Sequence, residues 1–277
     1  MYSTIDSPEQ REAYHRFTLE AARMARPLDD FEQARQRFKD LRTAIMDGAY
    51  SDLPDDQTMA DVRRAWAEYE CYNEARSAND FLGQDDLRAA VANYELFPFY
   101  QNFLRADVAL LAETVQPRAV GDPTPHLLMV GAGPLPLTSM MFGEWEHGQG
   151  CRVTNVDNDE TALALGKAFM ERAAVPNQQF ICADGAELIV PEDVDAVIVA
   201  ALAGEDQAQK IAIISNISAQ LRPGARLSFR HGIGNRRLLY PACQLDDALL
   251  AQMSMRPAAS IQPDQQFFNA IDVLEKY

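Results

Sequence analysis

Positive charge is scarce in this sequence. Its 277 residues carry 25 Lys and Arg against 41 Asp and Glu, a formal net charge of −16 at pH 7. A chain this acidic repels a phosphate backbone, so a nucleic-acid substrate is not expected. No run of 18 apolar residues occurs, and no membrane-spanning helix is expected. The opening stretch MYSTIDSPEQREAYHRF has no apolar core followed by a small-residue cleavage site. It does not read as a secretory leader, and a reducing cytoplasm is the expected compartment. Cysteine is sparse as well. Cys71, Cys151, Cys182 and Cys243 form no CxxC and have no His at ligand spacing. Neither a metal site nor a disulfide is expected, and the thiols read as free and buried. With 47% hydrophobic residues, the chain has enough apolar side chains for a full core. At roughly 150 residues per domain, its length gives one or two domains.

Two characters divide the chain. Up to about residue 118 the pattern is helical. Ser7-Pro8-Glu9-Gln10 reads as a helix start, with Ser as N-cap and Pro at the first helical position. Apolar stripes at helical spacing follow: Tyr14, Phe17, Ala21, Met24; then Phe31, Ala34, Phe38, Leu41, Ile45; then Met59, Val62, Trp66, Tyr69. A small helical bundle fits. A turn-rich joint at 121–125 precedes a change to short apolar runs alternating with helices. Strands are expected at 126–133, 152–159, 178–184, 194–202 and 225–232, with helices around 163–170 and 205–220. Such alternation implies right-handed crossovers and a doubly wound parallel α/β sheet over 119–277. The tail at 258–275 offers two more short strands that could close one edge antiparallel.

In a doubly wound sheet, ligands bind at the carboxyl ends of the strands. The first strand ends in Gly131-Ala132-Gly133-Pro134-Leu135-Pro136, whose glycines let backbone approach a ligand. The second ends in Asp157-Asn158, where a carboxylate can accept from ribose hydroxyls. The third ends in Asp184-Gly185, placed to accept from an adenine amino group, and the fourth in Ala200-Ala201-Leu202. A dinucleotide needs G-x-G-x-x-G, but Pro136 stands at the third glycine and no Lys or Arg is near. An acid-rich crevice without a phosphate cradle suits a cationic adenosine such as S-adenosylmethionine. The competing reading is a glycine turn that serves strand-to-helix packing, with Asp157 as a helix N-cap.

GAGPLPLTSMMF at 131–142 resembles the G-S-G-P-L-P-L-T-S segment of the nicotianamine synthase family. The stretch 195–241 and LFPFYQNFLRADVALL at 96–111 are similar to two further segments of that family, and the resemblance covers about 70 to 241. The length is similar to that of the shorter bacterial members, which make opine-type metallophores of the staphylopine and pseudopaline kind. The resemblance implies a Rossmann-like class I methyltransferase fold with an N-terminal helical bundle. It also implies transfer of the 3-amino-3-carboxypropyl group of S-adenosylmethionine to an amine, releasing methylthioadenosine. Implied with it are a free amino acid acceptor, histidine first, and a downstream opine dehydrogenase. A homodimer is the expected assembly.

Such a transfer must aim the γ-carbon, not the methyl, at the acceptor, and it must deprotonate an ammonium. Glu70 and Glu74 share a helix face. Phe97-Pro98-Phe99 reads as a tight aromatic turn ahead of Tyr100. The resemblance maps the family's catalytic Glu and Tyr onto Glu74 and Tyr100, with Glu70 as the other candidate for the base. Unaided, Tyr100 reads as a core aromatic and Glu74 as a solvated helix residue. Five arginines lie at 222–237 without an acid. Arg forks bind carboxylates, which both acceptor and donor carry. Arg230 and Arg236 match the family's R-S-x-x-G-x-R, and surface salt bridging is their competing role. His231 is either a substrate contact or a strand-end His with a backbone hydrogen bond. Asn93 and Tyr94 either line the acceptor pocket or, for Asn93, cap a helix. An ordinary methyltransferase and a non-catalytic S-adenosylmethionine-binding protein remain the alternative functions.

Overall fold

The computed structural model describes residues 8–48, 50, 53–115, 124–144, 150–264 and 268–277. Ser7 and residues 121–123 of the expected joint lie outside them. The strands are β1 (His126–Val130), β2 (Arg152–Asp157), β3 (Gln178–Cys182), β4 (Ala196–Val199), β5 (Arg226–His231), β6 (Met255–Ile261) and β7 (Ala270–Lys276). They form one sheet in the order β3-β2-β1-β4-β5-β7-β6. The first five run parallel, and β7 pairs antiparallel with both β5 and β6. β1 and β4 are buried at every position, as expected of central strands covered on both faces.

The helices are α1 (Pro8–Arg23), α2 (Phe31–Met46), α3 (Asp56–Leu82), α4 (Leu87–Ala92), α5 (Phe97–Val115), α6 (Leu137–Gly143), α7 (Glu160–Arg172), α8 (Gln207–Gln220) and α9 (Asp247–Met253). Part of the acidic excess is structural. Asp30, Asp55, Asp86, Asp159, Asp206 and Asp246 each cap a helix by accepting from a backbone N–H in its first turn. Each such cap contributes about 1 kcal/mol.

α3 sets the architecture around the crevice. Its first half packs Met59, Val62, Trp66 and Tyr69 against Phe38, Leu41 and Ile45 of α2. Burying a Phe or Leu there contributes roughly 2 kcal/mol. Its last turns pack Ala78 and Phe81 against Leu135, Phe169 and Met170 beside the sheet. Glu70 and Glu74 fall between these two apolar clusters.

Two expectations change. Phe97-Pro98-Phe99 is the opening turn of α5 rather than a free-standing turn. Proline is tolerated there because its missing N–H would have had no helical partner. The thiols are free, but only Cys151 and Cys243 are buried; Cys71 and Cys182 are exposed.

Candidate active site

A cavity of about 790 Å³ opens at the carboxyl ends of the parallel strands, roofed by α3 and the start of α5. The β1–α6 loop forms its floor. Gly131 and Gly133 have φ of +78° and +66°, a region that side chains rarely adopt. A Cβ on Gly131 would lie 3.1 Å from the Ala200 Cβ. Ala132, Pro134 and Leu135 line the same floor. Helix packing under the loop comes from outside the motif. Gly166 of α7 lies so close that a Cβ would sit 2.9 Å from the Gly133 carbonyl oxygen. The glycine missing at position 136 is thus replaced by one on the facing helix.

Acids ring this floor. Asp157 and Asn158 line the cavity at the end of β2, Asp184 and Gly185 beyond β3, and Ala200, Ala201 and Leu202 after β4. Asp157 Oδ2 accepts from Gly133 N at 2.8 Å, and Oδ1 accepts from Asp159 N at 3.0 Å. Each carboxylate oxygen has a second lone pair, so Asp157 can brace the loop and still accept from a ligand. Helix capping falls to Asp159, which accepts from Thr161 N and Ala162 N.

Across the cavity, the Tyr100 hydroxyl donates to Glu74 Oε1 at 3.0 Å, and Glu70 lines the wall one turn away. Burial, then repulsion from Glu70, pushes Glu74 up to about 8, opposed by the hydrogen bond from Tyr100. Burial pushes Glu70 up to about 7, with Arg42 pulling the other way. Tyr100 is raised well above its ordinary value by burial and by both carboxylates.

Arg230 also lines the cavity. Its Nη2 donates to the fully buried Asp107, its guanidinium lies 4.6 Å from the Phe103 ring centroid, and its Nε has no partner. Two further cavity residues, Ser139 and Asn269, hold buried oxygens without partners.

Four expected substrate contacts lie outside the cavity lining. Asn93 is exposed at the C-cap of α4, with its side chain donating to Ala89 O. Tyr94 packs edge-on against Phe81, and its hydroxyl lies 3.5 Å from Ser77 Oγ. Arg236 donates to Asp264 O and lies over Phe268. His231 is buried, with Nε2 at 2.9 Å from Asp272 Oδ2. Its partner is a carboxylate on the neighbouring strand, not the expected backbone group. Among the other arginines, Arg222 pairs with Asp195 and Arg226 with Glu275. The sequence reading missed Asp107, Asn269 and Tyr240 in or beside the site, and Lys210 behind it. Only Lys210 carries a local signal: it opens the apolar stripe Ile213, Ile214, Ile217 on α8.

The strand order, the reversed β7 and the glycine loop after β1 define a Rossmann-like fold of the class I methyltransferase type. The profile of the nicotianamine synthase protein family matches residues 32–277, and the chain belongs to that family. It is 26% identical to nicotianamine synthase 9 of Hordeum vulgare over 86% of this chain and 71% of that protein. To the nicotianamine synthase of Solanum lycopersicum it is 29% identical over 53% of this chain. The matched stretch there spans 46% of the relative, about half its length. Among solved structures, a Glu-to-Gln mutant of MtNAS in complex with S-adenosylmethionine superposes with a TM-score of 0.74 at 18% identity, over 95% of this chain and 97% of that one. A magnesium protoporphyrin IX methyltransferase from Synechocystis PCC 6803 with bound SAM shares the fold at a TM-score of 0.51 and 18% identity, over 82% of this chain and all of that one.

Proposed function

We propose that the protein transfers the 3-amino-3-carboxypropyl group of S-adenosylmethionine to the α-amine of a free amino acid, histidine first, and releases methylthioadenosine. The observation that carries this reading is the Tyr100–Glu74 hydrogen bond facing the glycine loop across an acid-rich cavity. Family membership, the complex of the MtNAS mutant with S-adenosylmethionine and that of MtNAS with MTA and tNA support it.

In this reading the β1–α6 loop, Asp157 and Asp184 hold the nucleoside. The cavity carboxylates favour the sulfonium, which in turn favours their ionised form. Glu74 takes a proton from the acceptor ammonium, with Tyr100 orienting the carboxylate. The free nitrogen then forms a bond to the γ-carbon as the γ-carbon–sulfur bond breaks, and its electron pair stays on sulfur. Raised to about 8, Glu74 is a stronger base than an ordinary carboxylate, which narrows the gap to the α-ammonium it must deprotonate. Arg230 and Asn269, both in the cavity lining, are the groups offered to the carboxylate and ammonium of an amino acid. Residues 1–118 serve as the acceptor-side part and 119–277 as the donor-binding part. The product is a nicotianamine-like opine metallophore precursor, which a cytoplasmic opine dehydrogenase would consume with an α-keto acid.

The test is purified protein with S-adenosylmethionine and a panel of amino acids, products read by mass. Methylthioadenosine together with an acceptor heavier by one aminobutyrate unit supports the reading. S-adenosylhomocysteine with a methylated acceptor replaces it by methyl transfer. Cofactor binding with neither product replaces it by a non-catalytic role.

A further inference from the structure

Lys210 has no exposed surface, and its amine makes two hydrogen bonds, both to main-chain carbonyls: Ala200 O at 2.8 Å and Arg230 O at 3.1 Å. Among the described residues it forms no ion pair. Those two carbonyls have a particular place in the sheet. The parallel ladder between β4 and β5 ends at Val199↔Phe229, so Ala200 and Arg230 are the next residues on each strand. There the ladder stops, and a lysine side chain from α8 spans the gap. On the outer sides each strand remains held: Ala200 N donates to Val130 O, and Arg230 pairs with Ile271 of β7.

Ala200 and Arg230 both line the cavity, so the gap bridged by Lys210 is part of the site's frame. From Arg230 the connection continues to α5. The guanidinium packs on Phe103 and pairs with Asp107, which also lies 3.4 Å from Ser228 Oγ. Phe103 and Asp107 are three and seven residues after Tyr100, on the same helix face. The Arg230 side chain therefore links the end of β5 to the face of α5 that carries Tyr100, the residue bonded to Glu74 on α3.

Fold stability alone is a poor reason for this lysine. Burying an amine without a carboxylate is unfavourable, and that cost offsets what its two hydrogen bonds to the carbonyls contribute. Burial lowers its pKa to about 7. Either protonation state retains at least two hydrogens, enough for both carbonyls.

We propose that Lys210 is a positioning residue: by tying the ends of β4 and β5 where their ladder stops, it sets Arg230, and through Phe103 and Asp107 it sets Tyr100 against Glu74. The activity readouts rest on the transfer reaction proposed above; the exchange readout does not.

The test compares wild type with Lys210→Met, which is similar in length but cannot donate. The expected result is a fall in kcat of tenfold or more, with donor affinity within threefold and only a small loss of melting temperature. The alkaline shift of the pH–rate limb should match that of Tyr100→Phe, because Glu74 loses the hydrogen bond that lowers its pKa. Unchanged kcat and an unmoved limb overturn the proposal. So does a parallel loss of donor affinity and melting temperature, which marks a purely structural role. If wild type transfers nothing to any amino acid, the functional reading fails, and amide hydrogen exchange decides Lys210 independently. Exchange at 200–203 and 231–233 should then be at least tenfold faster in the variant, with β1 and β2 unchanged; equal exchange overturns the proposal. Lys210→Leu, which also cannot donate, carries the same expectations if the methionine variant does not fold. Failure of both to fold assigns Lys210 to stability and overturns it.

Discussion

Gly133 and Glu74 meet across the cavity: a Cβ built on the glycine would lie 2.9 Å from Glu74 Oε2. The same glycine donates its N–H to Asp157. One backbone position thus joins the loop beneath the nucleoside site to the carboxylate that faces it, so loop and base are not independent. Gly133→Ala should show this. The methyl strains a backbone at φ +66° by roughly 1–2 kcal/mol and also displaces the carboxylate. Gly224→Ala is the control, since Gly224 has φ +81° and open space where its Cβ would go. Thermal melts should fall for both variants. Turnover should fall tenfold or more for Gly133→Ala alone, and equal turnover in the two would show that the contact with Glu74 is inconsequential.

Glu74→Gln keeps the shape of the side chain and removes its basicity. Donor affinity, read by calorimetry, should stay within a few-fold, while turnover falls by about 10²-fold or more, the usual worth of a general base. Glu70 makes no hydrogen bond to Tyr100, and Glu70→Gln should be the milder of the two. A larger loss at Glu70 would move the base one turn along α3. Tyr100→Phe should also lose turnover while remaining folded; full activity in that variant would remove the hydroxyl from the mechanism.

The raised Glu74 pKa has a signed consequence for stability. Between its ordinary 4.5 and about 8 the folded state binds more protons than the unfolded state. The contribution of the neutral side chain is therefore fully present below about 4.5 and is lost as pH rises through about 8. Glu74→Gln, neutral throughout, should melt close to wild type at pH 5 and above it at pH 9. A gap of roughly 3 °C corresponds to about 1 kcal/mol in a chain of this size. Comparing the two proteins pairwise at each pH cancels the opposite trend from Lys210, whose pKa burial lowers. A constant gap from pH 5 to 9 would show that the carboxyl is not shifted.

Much of this arrangement is legible in the sequence because it is local. The apolar runs 126–130 and 196–199 give the central strands, and the glycines and acids that end the parallel strands give the crevice floor. Glu70 and Glu74 read as one helix face from their spacing. That this face is left bare between two apolar clusters depends on α2, α7 and the β1–α6 loop, which no local pattern reveals. The Phe-Pro-Phe segment misleads because proline's usual effect on a helix is reversed in its first turn. Arg230 is legible as a carboxylate binder. Its carboxylate belongs to Asp107, 123 residues away in the chain, and that pairing is set by how α5 lies on β5. His231 likewise finds Asp272 only because β7 runs back beside β5.

The Arg230–Asp107 pair yields the last prediction. Asp107 is fully buried and Arg230 nearly so, with the guanidinium stacked on Phe103. Removing one partner of a buried pair leaves an uncompensated charge and typically costs about 3–5 kcal/mol. Asp107→Ala should therefore destabilise the protein by about that amount in urea unfolding, far more than removal of an exposed pair such as Arg16–Glu12, worth about 0–1 kcal/mol. Asp107→Asn keeps an acceptor for the guanidinium and should lose less. Its released positive charge also faces the cavity, so the apparent KM for an acceptor carboxylate should fall while the cationic donor binds less well. Opposite movement of the two constants would mark Arg230 as an electrostatic element of the acceptor side. A uniform weakening of both would confine the pair to holding α5 on the sheet.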